Sequence, residues 1–288
     1  MSTPGPSRSD ARPSDAPSPA RSAGSDILRQ VAVISAVCFM IIAAMVGTGF
    51  FGGTNVRDLQ GGALDADSTV LAPDRPAFSI WSLIYVLMIA YAIWQALPSQ
   101  RHRPRQRAVG WWIALTAVLN GAWLLAAQFL NLVATVLAIV VLLVALAATL
   151  RVLVARPREG MPDVVLMDAT VGLHLGWVSL ATVANITAWL TADVAPASWA
   201  DAAEPAGIAV LIVVALIGVA LAVGSGGRLA PAAAMAWGLV WIGVARLSGE
   251  PASTPVAITA FAAAALVLLA PLVVRVAWRR GADAEIFT

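Results

Sequence analysis

The sequence predicts an all-α fold, a polytopic membrane helix bundle of about eight transmembrane helices with both termini on the cytoplasmic side. Composition is the first reason. Hydrophobic residues make up 60% of the 288-residue chain, charged residues only 12%, and mean hydropathy is +0.83. A water-soluble domain carries roughly 25% charged residues. The second reason is where the arginines fall. When eight apolar runs are read as successive crossings, fifteen of the 18 arginines lie in the termini and alternate loops of one side. Only Arg57, Arg75 and Arg246 lie on the other. Basic residues collect on the cytoplasmic side, and an odd number of crossings would scramble the pattern.

Residues 1–25 are rich in Ser, Pro, Ala, Arg and Asp and show no apolar periodicity. Such a segment cannot bury enough surface to offset its ordering entropy, so a disordered cytoplasmic tail is expected there. A cleavable signal peptide is not expected, because the first apolar run starts late and lacks a small-x-small cleavage site. A helix needs about 20 apolar residues to cross the hydrocarbon. Runs of that kind fall at 31–52, 78–97, 109–130, 132–153, 164–190, 206–224, 229–247 and 255–278. A tight turn near Asn131 separates the third from the fourth. Pro205 and the glycines at 224, 226 and 227 bound the sixth, as suits helix ends. The loops of the arginine-poor side are acidic, with Asp58, Asp65, Asp67 and Asp74 in the first and Asp193, Asp201 and Glu204 in the third.

A net charge of +2 with no lysine argues against a nucleic-acid surface. Cys38, the single cysteine, lies in the first apolar run and reads as a small core residue. No paired carboxylates, Ser-His-Asp spacing, metal-ligand cluster or phosphate loop is evident. No enzymatic role and no cofactor or metal is therefore expected. Asp168 reads as a boundary charge close to Arg156 or Arg158.

The eleven tryptophans divide by position. Trp111, Trp112, Trp199 and Trp278 sit at the ends of runs, where interfacial anchoring accounts for them. Trp81, Trp123, Trp177, Trp237 and Trp241 lie inside runs. Close packing is their ordinary reading, and an aromatic-lined ligand pocket is the sharper one. Helical spacing places Phe78, Trp81 and Tyr85 on one face of the second run, and Trp112, Thr116, Asn120 and Trp123 on one face of the third. In the fifth, His174, Trp177, Ala181, Asn185 and Ala188 share a face. Polar groups facing lipid are costly, so these stripes should point inward. Counted in from the ends, they could line one cavity in the outer half of the bilayer, with the 54–77 loop placed to close over it. His174 is the only histidine inside a run, and a neutral interhelical bond and a functional role are both open to it.

Three segments carry a resemblance. They are Pro76-Ala77-Phe78-Ser79-Ile80-Trp81-Ser82-Leu83-Ile84-Tyr85-Val86-Leu87-Met88, Leu119-Asn120-Gly121-Ala122-Trp123, and Gly176-Trp177-Val178-Ser179-Leu180-Ala181-Thr182-Val183-Ala184-Asn185. In order and spacing they resemble the second, third and fifth helices of the TspO/MBR family, the tryptophan-rich sensory or translocator proteins. The chain is similar to the longer, actinobacterial-type members. The sequence departs from the family in two places: residues 54–75 contain no Trp or Lys, and His174-Leu175-Gly176 stands where a Pro-Tyr pair is usual. The resemblance implies a five-helix core over residues 26–191, followed by three additional helices in 192–288. It also implies a membrane-embedded site for a small apolar ligand such as a porphyrin, serving binding, sensing or transport. Phe78, Trp81, Tyr85, Asn120, Trp123, His174, Trp177 and Asn185 are its candidate residues. A homodimer is compatible with this reading. The rival is a secondary transporter or permease subunit whose path the last three helices complete.

Overall fold

The computed structural model describes residues 19–286, with side chains from 24 to 278 other than those of Arg57 and Ala197. The chain is 83% helical and holds no strand among the described residues. The helices are α1 (Pro19–Gly47), α2 (Ile80–Ala96), α3 (Pro104–Phe129), α4 (Leu132–Val154), α5 (Thr170–Trp189), α6 (Ala203–Gly224), α7 (Leu229–Ser248) and α8 (Thr254–Ile286). All eight belong to segments long and apolar enough to cross a membrane. In hydrocarbon a helix satisfies its own backbone, which is why apolar runs of this length take no other form.

Local chemistry sets the ends. Pro104 occupies the first turn of α3, where its missing N–H costs nothing. Asn131 caps α4 by accepting a 2.9 Å bond from the Ala134 N–H. A 3₁₀ turn, Arg75–Ser79, leads into α2, and Asp74 caps it by accepting from the Arg75 N–H at 2.7 Å. A π-helical turn, Asp163–Ala169, leads into α5.

The first helix differs from its sequence reading. Residues 1–18 of the expected tail lie outside the described residues, and helix is already present from Pro19, inside that tail. The apolar count starts late because Asp26, Arg29 and Gln30 interrupt it, but segments from the α2–α3 end of the bundle bond to each of them. Asp26 accepts from Arg107 Nε at 2.8 Å, and Arg29 Nη2 donates to the Arg101 carbonyl at 3.0 Å. Gln30 and Gln95 each donate to the other's carbonyl, at 2.6 and 3.1 Å. The helix stops at Gly47 rather than 52 because Gly49 turns the chain with φ +74°, where a Cβ would stand 2.5 Å from the Gly53 carbonyl oxygen. Cys38 is exposed on the apolar outer face of α1, not in the core.

Packing gives the bundle two large apolar clusters, beside a small one of Ala43, Ala44 and Leu124. One is built by α1 to α5, with Met40, Ile84, Tyr91, Ile113, Leu146 and Leu175 at its centre. The other gathers α6, α7 and α8 around Leu211, Leu239, Val256 and Val267, and takes in Leu71 and Leu180 from outside those helices. The contact between the halves runs along α5 and α7.

A charged network ties one end of the bundle together. Buried Arg105 pairs with Asp168 at 2.6 Å and Asp163 at 3.3 Å. Arg158 also pairs with Asp168, Arg228 approaches it to 3.6 Å, and Arg103 reaches Asp163 at 3.2 Å. Burial pulls the Arg228 guanidinium below its ordinary value, and Asp168 opposes that shift. Asp168 thus pairs with Arg158, one of the two arginines its boundary position pointed to, and also with Arg105 and Arg228 on other segments.

Candidate functional site

Between α1, α2, α3, α4 and α5, at the end of the bundle opposite the charged network, lies a cavity of about 520 Å³. It falls within the ordinary size range of small-molecule sites, roughly 300–1,000 Å³. Of the eight candidate residues, Phe78, Trp81, Tyr85, Asn120, Trp123, Trp177 and Asn185 line it. The three stripes reach it as helical periodicity requires, because each presents one face of its helix to the same gap.

The rings form a connected wall. Trp81 stacks on Tyr85 with centroids 5.4 Å apart and planes 25° from parallel. Trp177 stands edge-on to Trp81 at 6.2 Å and to Phe78 at 5.6 Å. Edge-to-face and offset contacts at these separations favour the arrangement and hold each ring's orientation. Tyr85 lies 3.5 Å from Asn120 Oδ1, at the long limit of a hydrogen bond. Nε1 of Trp123 and of Trp177, Nδ2 of Asn120, and both polar atoms of Asn185 have no hydrogen-bond partner among the described residues.

His174 is the exception among the candidates. It is buried and does not line the cavity. It stands behind Trp81, ring edge to ring face at 5.7 Å, and so backs the wall instead of forming it. A turn further along α5, Trp177 takes the place at the cavity that the stripe pattern offered to both.

Sequence reading missed the remaining walls. Ile41, Ala44 and Met45 of α1, with Thr48 in the turn that follows it, form one side, and Ile139 and Leu142 of α4 close the back. Those residues are apolar or small in apolar runs, so no contrast with their neighbours marks them. The cover was legible in outline. The segment between α1 and α2 contributes Asn55, Val56, Ala63, Leu64, Asp65, Ser68, Pro73 and Arg75. Across the mouth, Arg75 grips Asp65 with Nε to Oδ1 at 3.1 Å and Nη2 to Oδ2 at 2.6 Å. Gln60 Nε2 donates to the Ala127 carbonyl at 3.3 Å, pinning the cover to the end of α3.

The pocket can take a flat apolar body between aromatic faces. A family model described as TSPO-like protein matches residues 29–273 and so takes in part of each of the eight helices. No curated protein and no solved structure matches the chain.

Proposed function

The chain is a multi-pass membrane protein that belongs to the family of TSPO-like proteins, and from that premise we propose that it takes a flat apolar small molecule, such as a porphyrin, into the lidded cavity. The cavity itself carries the reading: about 520 Å³ walled by Trp81, Trp123 and Trp177 under a covering loop. An indole offers a large rigid apolar face and one N–H to orient a polar edge. The donors of Asn120, Trp123 and Trp177 have no partner among the described residues and belong to side chains that line the cavity. The role is binding, for sensing or transport, without chemical conversion. The site faces the outside of the cell membrane, because the arginine-rich end of the bundle is the cytoplasmic one.

A porphyrin titration of the purified protein, followed by tryptophan fluorescence, tests this. Bound porphyrin quenches emission. Trp81→Leu, Trp123→Leu and Trp177→Leu each weaken binding, whereas Trp199→Leu and Trp278→Leu, on exposed boundary residues, leave it unchanged. Equal affinities across all five would overturn the assignment.

A further inference from the structure

The cover over the cavity has two faces. Ala63, Leu64, Asp65, Ser68 and Pro73 face the cavity. The other face docks on the C-terminal helices. Leu71, 2% exposed, belongs to the apolar cluster of α6 to α8. Val70 packs against the same cluster, so close to Gly207 of α6 that a Cβ there would stand 2.9 Å from a Val70 methyl. Polar contacts with α7 follow at intervals along the cover. Arg246 Nη2 donates to the Ala66 carbonyl at 3.0 Å. The Asp74 N–H donates to the Trp241 carbonyl at 3.2 Å, and Trp237 Nε1 donates to the Ala77 carbonyl at 2.9 Å.

Arg246 is the unusual member. It is 1% exposed, yet its hydrogen bonds run to carbonyl oxygens: the second, from Nη1, goes to Pro251 at 2.8 Å in the α7–α8 turn. A planar guanidinium donating to two carbonyls joins two backbone segments at a fixed angle, and charge-assisted bonds are the stronger kind. One segment is the turn between two helices of the C-terminal unit. The other is Ala66, which directly follows Leu64-Asp65, a pair that touches the cavity.

We propose that helices α6 to α8 are the dock of the cavity's lid, and that Arg246 is a positioning residue that sets how often the lid opens to water. The proposal rests on reading the lidded cavity as the ligand site, but the lid can be measured without a ligand. In a Cys38→Ser background, a cysteine placed by Leu64→Cys reports opening through its rate of reaction with a charged, water-soluble maleimide. Arg246→Met should raise that rate about tenfold, through loss of a charge-assisted bond. Trp237→Phe, which keeps the bulk of the ring, should raise it by a smaller factor. Reaction at Ser99→Cys, at the other end of the bundle, should not change. Protoporphyrin should dissociate faster from both variants in the same order. Should Arg246→Met not fold, Arg246→Lys and Trp237→Phe carry the test, each expected to give an intermediate rate. An unchanged rate at position 64 in the folded variants, with only a lower Tm, would make Arg246 a structural residue and overturn the proposal. Faster labelling without porphyrin binding to the parent protein would sink the ligand reading and leave the lid's dock standing.

Discussion

A Cβ built on Gly176 would stand 2.1 Å from the Pro231 carbonyl oxygen, and one on Gly238 would stand 2.2 Å from a methyl of Leu180. The distances are alike but the obstacles are not. Leu180 can turn its side chain, whereas the Pro231 carbonyl is backbone and moves only if α7 moves. Gly176→Ala should therefore lower stability by about 1–3 kcal/mol, and Gly238→Ala by clearly less, as thermal melts of the two variants in detergent would show. A larger loss for Gly238→Ala would mean that the helices separate more easily than their packing suggests. This residue also marks where sequence reading ran out. Tryptophans were legible because an aromatic inside an apolar run contrasts with its neighbours, and helical spacing then gave the face. Gly176 carries no such contrast, and its partner is 55 residues away. His174 was singled out by its place on the stripe with Trp177 and by its ionisable ring, and burial places it one layer behind the ring it supports. His174→Leu should accordingly weaken porphyrin binding less than Trp81→Leu, read in the same titration.

Among elements, the π-helical turn before α5 brings Asp163 and Asp168 to Arg105, and Asp168 to Arg228 as well. Removing one partner from a buried pair leaves the other charge uncompensated, which costs about 3–5 kcal/mol. Asp168→Asn should cost a large part of that, because Arg105, 1% exposed, then keeps only Asp163, at 3.3 Å, as a carboxylate partner. Glu159→Gln, on a half-exposed pair with Arg103, should change stability by under about 1 kcal/mol. Denaturation of both variants would separate them, and equal losses would count against this reading of Asp168. The spans themselves were legible because lipid makes length and hydropathy nearly sufficient. The start of α1 was not, since nothing in the sequence says that Gln95 and Arg107 wait on other helices to satisfy Gln30 and Asp26. Likewise Asp163 drew no notice, being one acidic residue in a polar loop until Arg105 is folded against it.

For the molecule as a whole, the arginine-rich network and the covered cavity occupy opposite ends, so orientation decides which compartment the cavity serves. In a Cys38→Ser background, a cysteine at position 66 should react with an impermeant reagent in intact cells, and one at position 103 should not. The reverse pattern would turn the molecule over. The relation of the last three helices to the first five was only partly legible. Hydropathy separates the helices, but the glycines that seat α7 against α5 and the arginine that reaches the lid are single residues in otherwise ordinary apolar runs. That seam also bears on how the chain is made. Helix α5 leaves the ribosome well before α7, so the residues that pack closely on Gly172 and Gly176, among them Ala230 and Pro231, are synthesised later. A chain that ended before α7 would leave those two glycines without that packing, and such an unfilled seam should mark it for proteolysis. Residues 1–191 made alone should turn over rapidly, and supplying 192–288 as a second chain should slow that turnover.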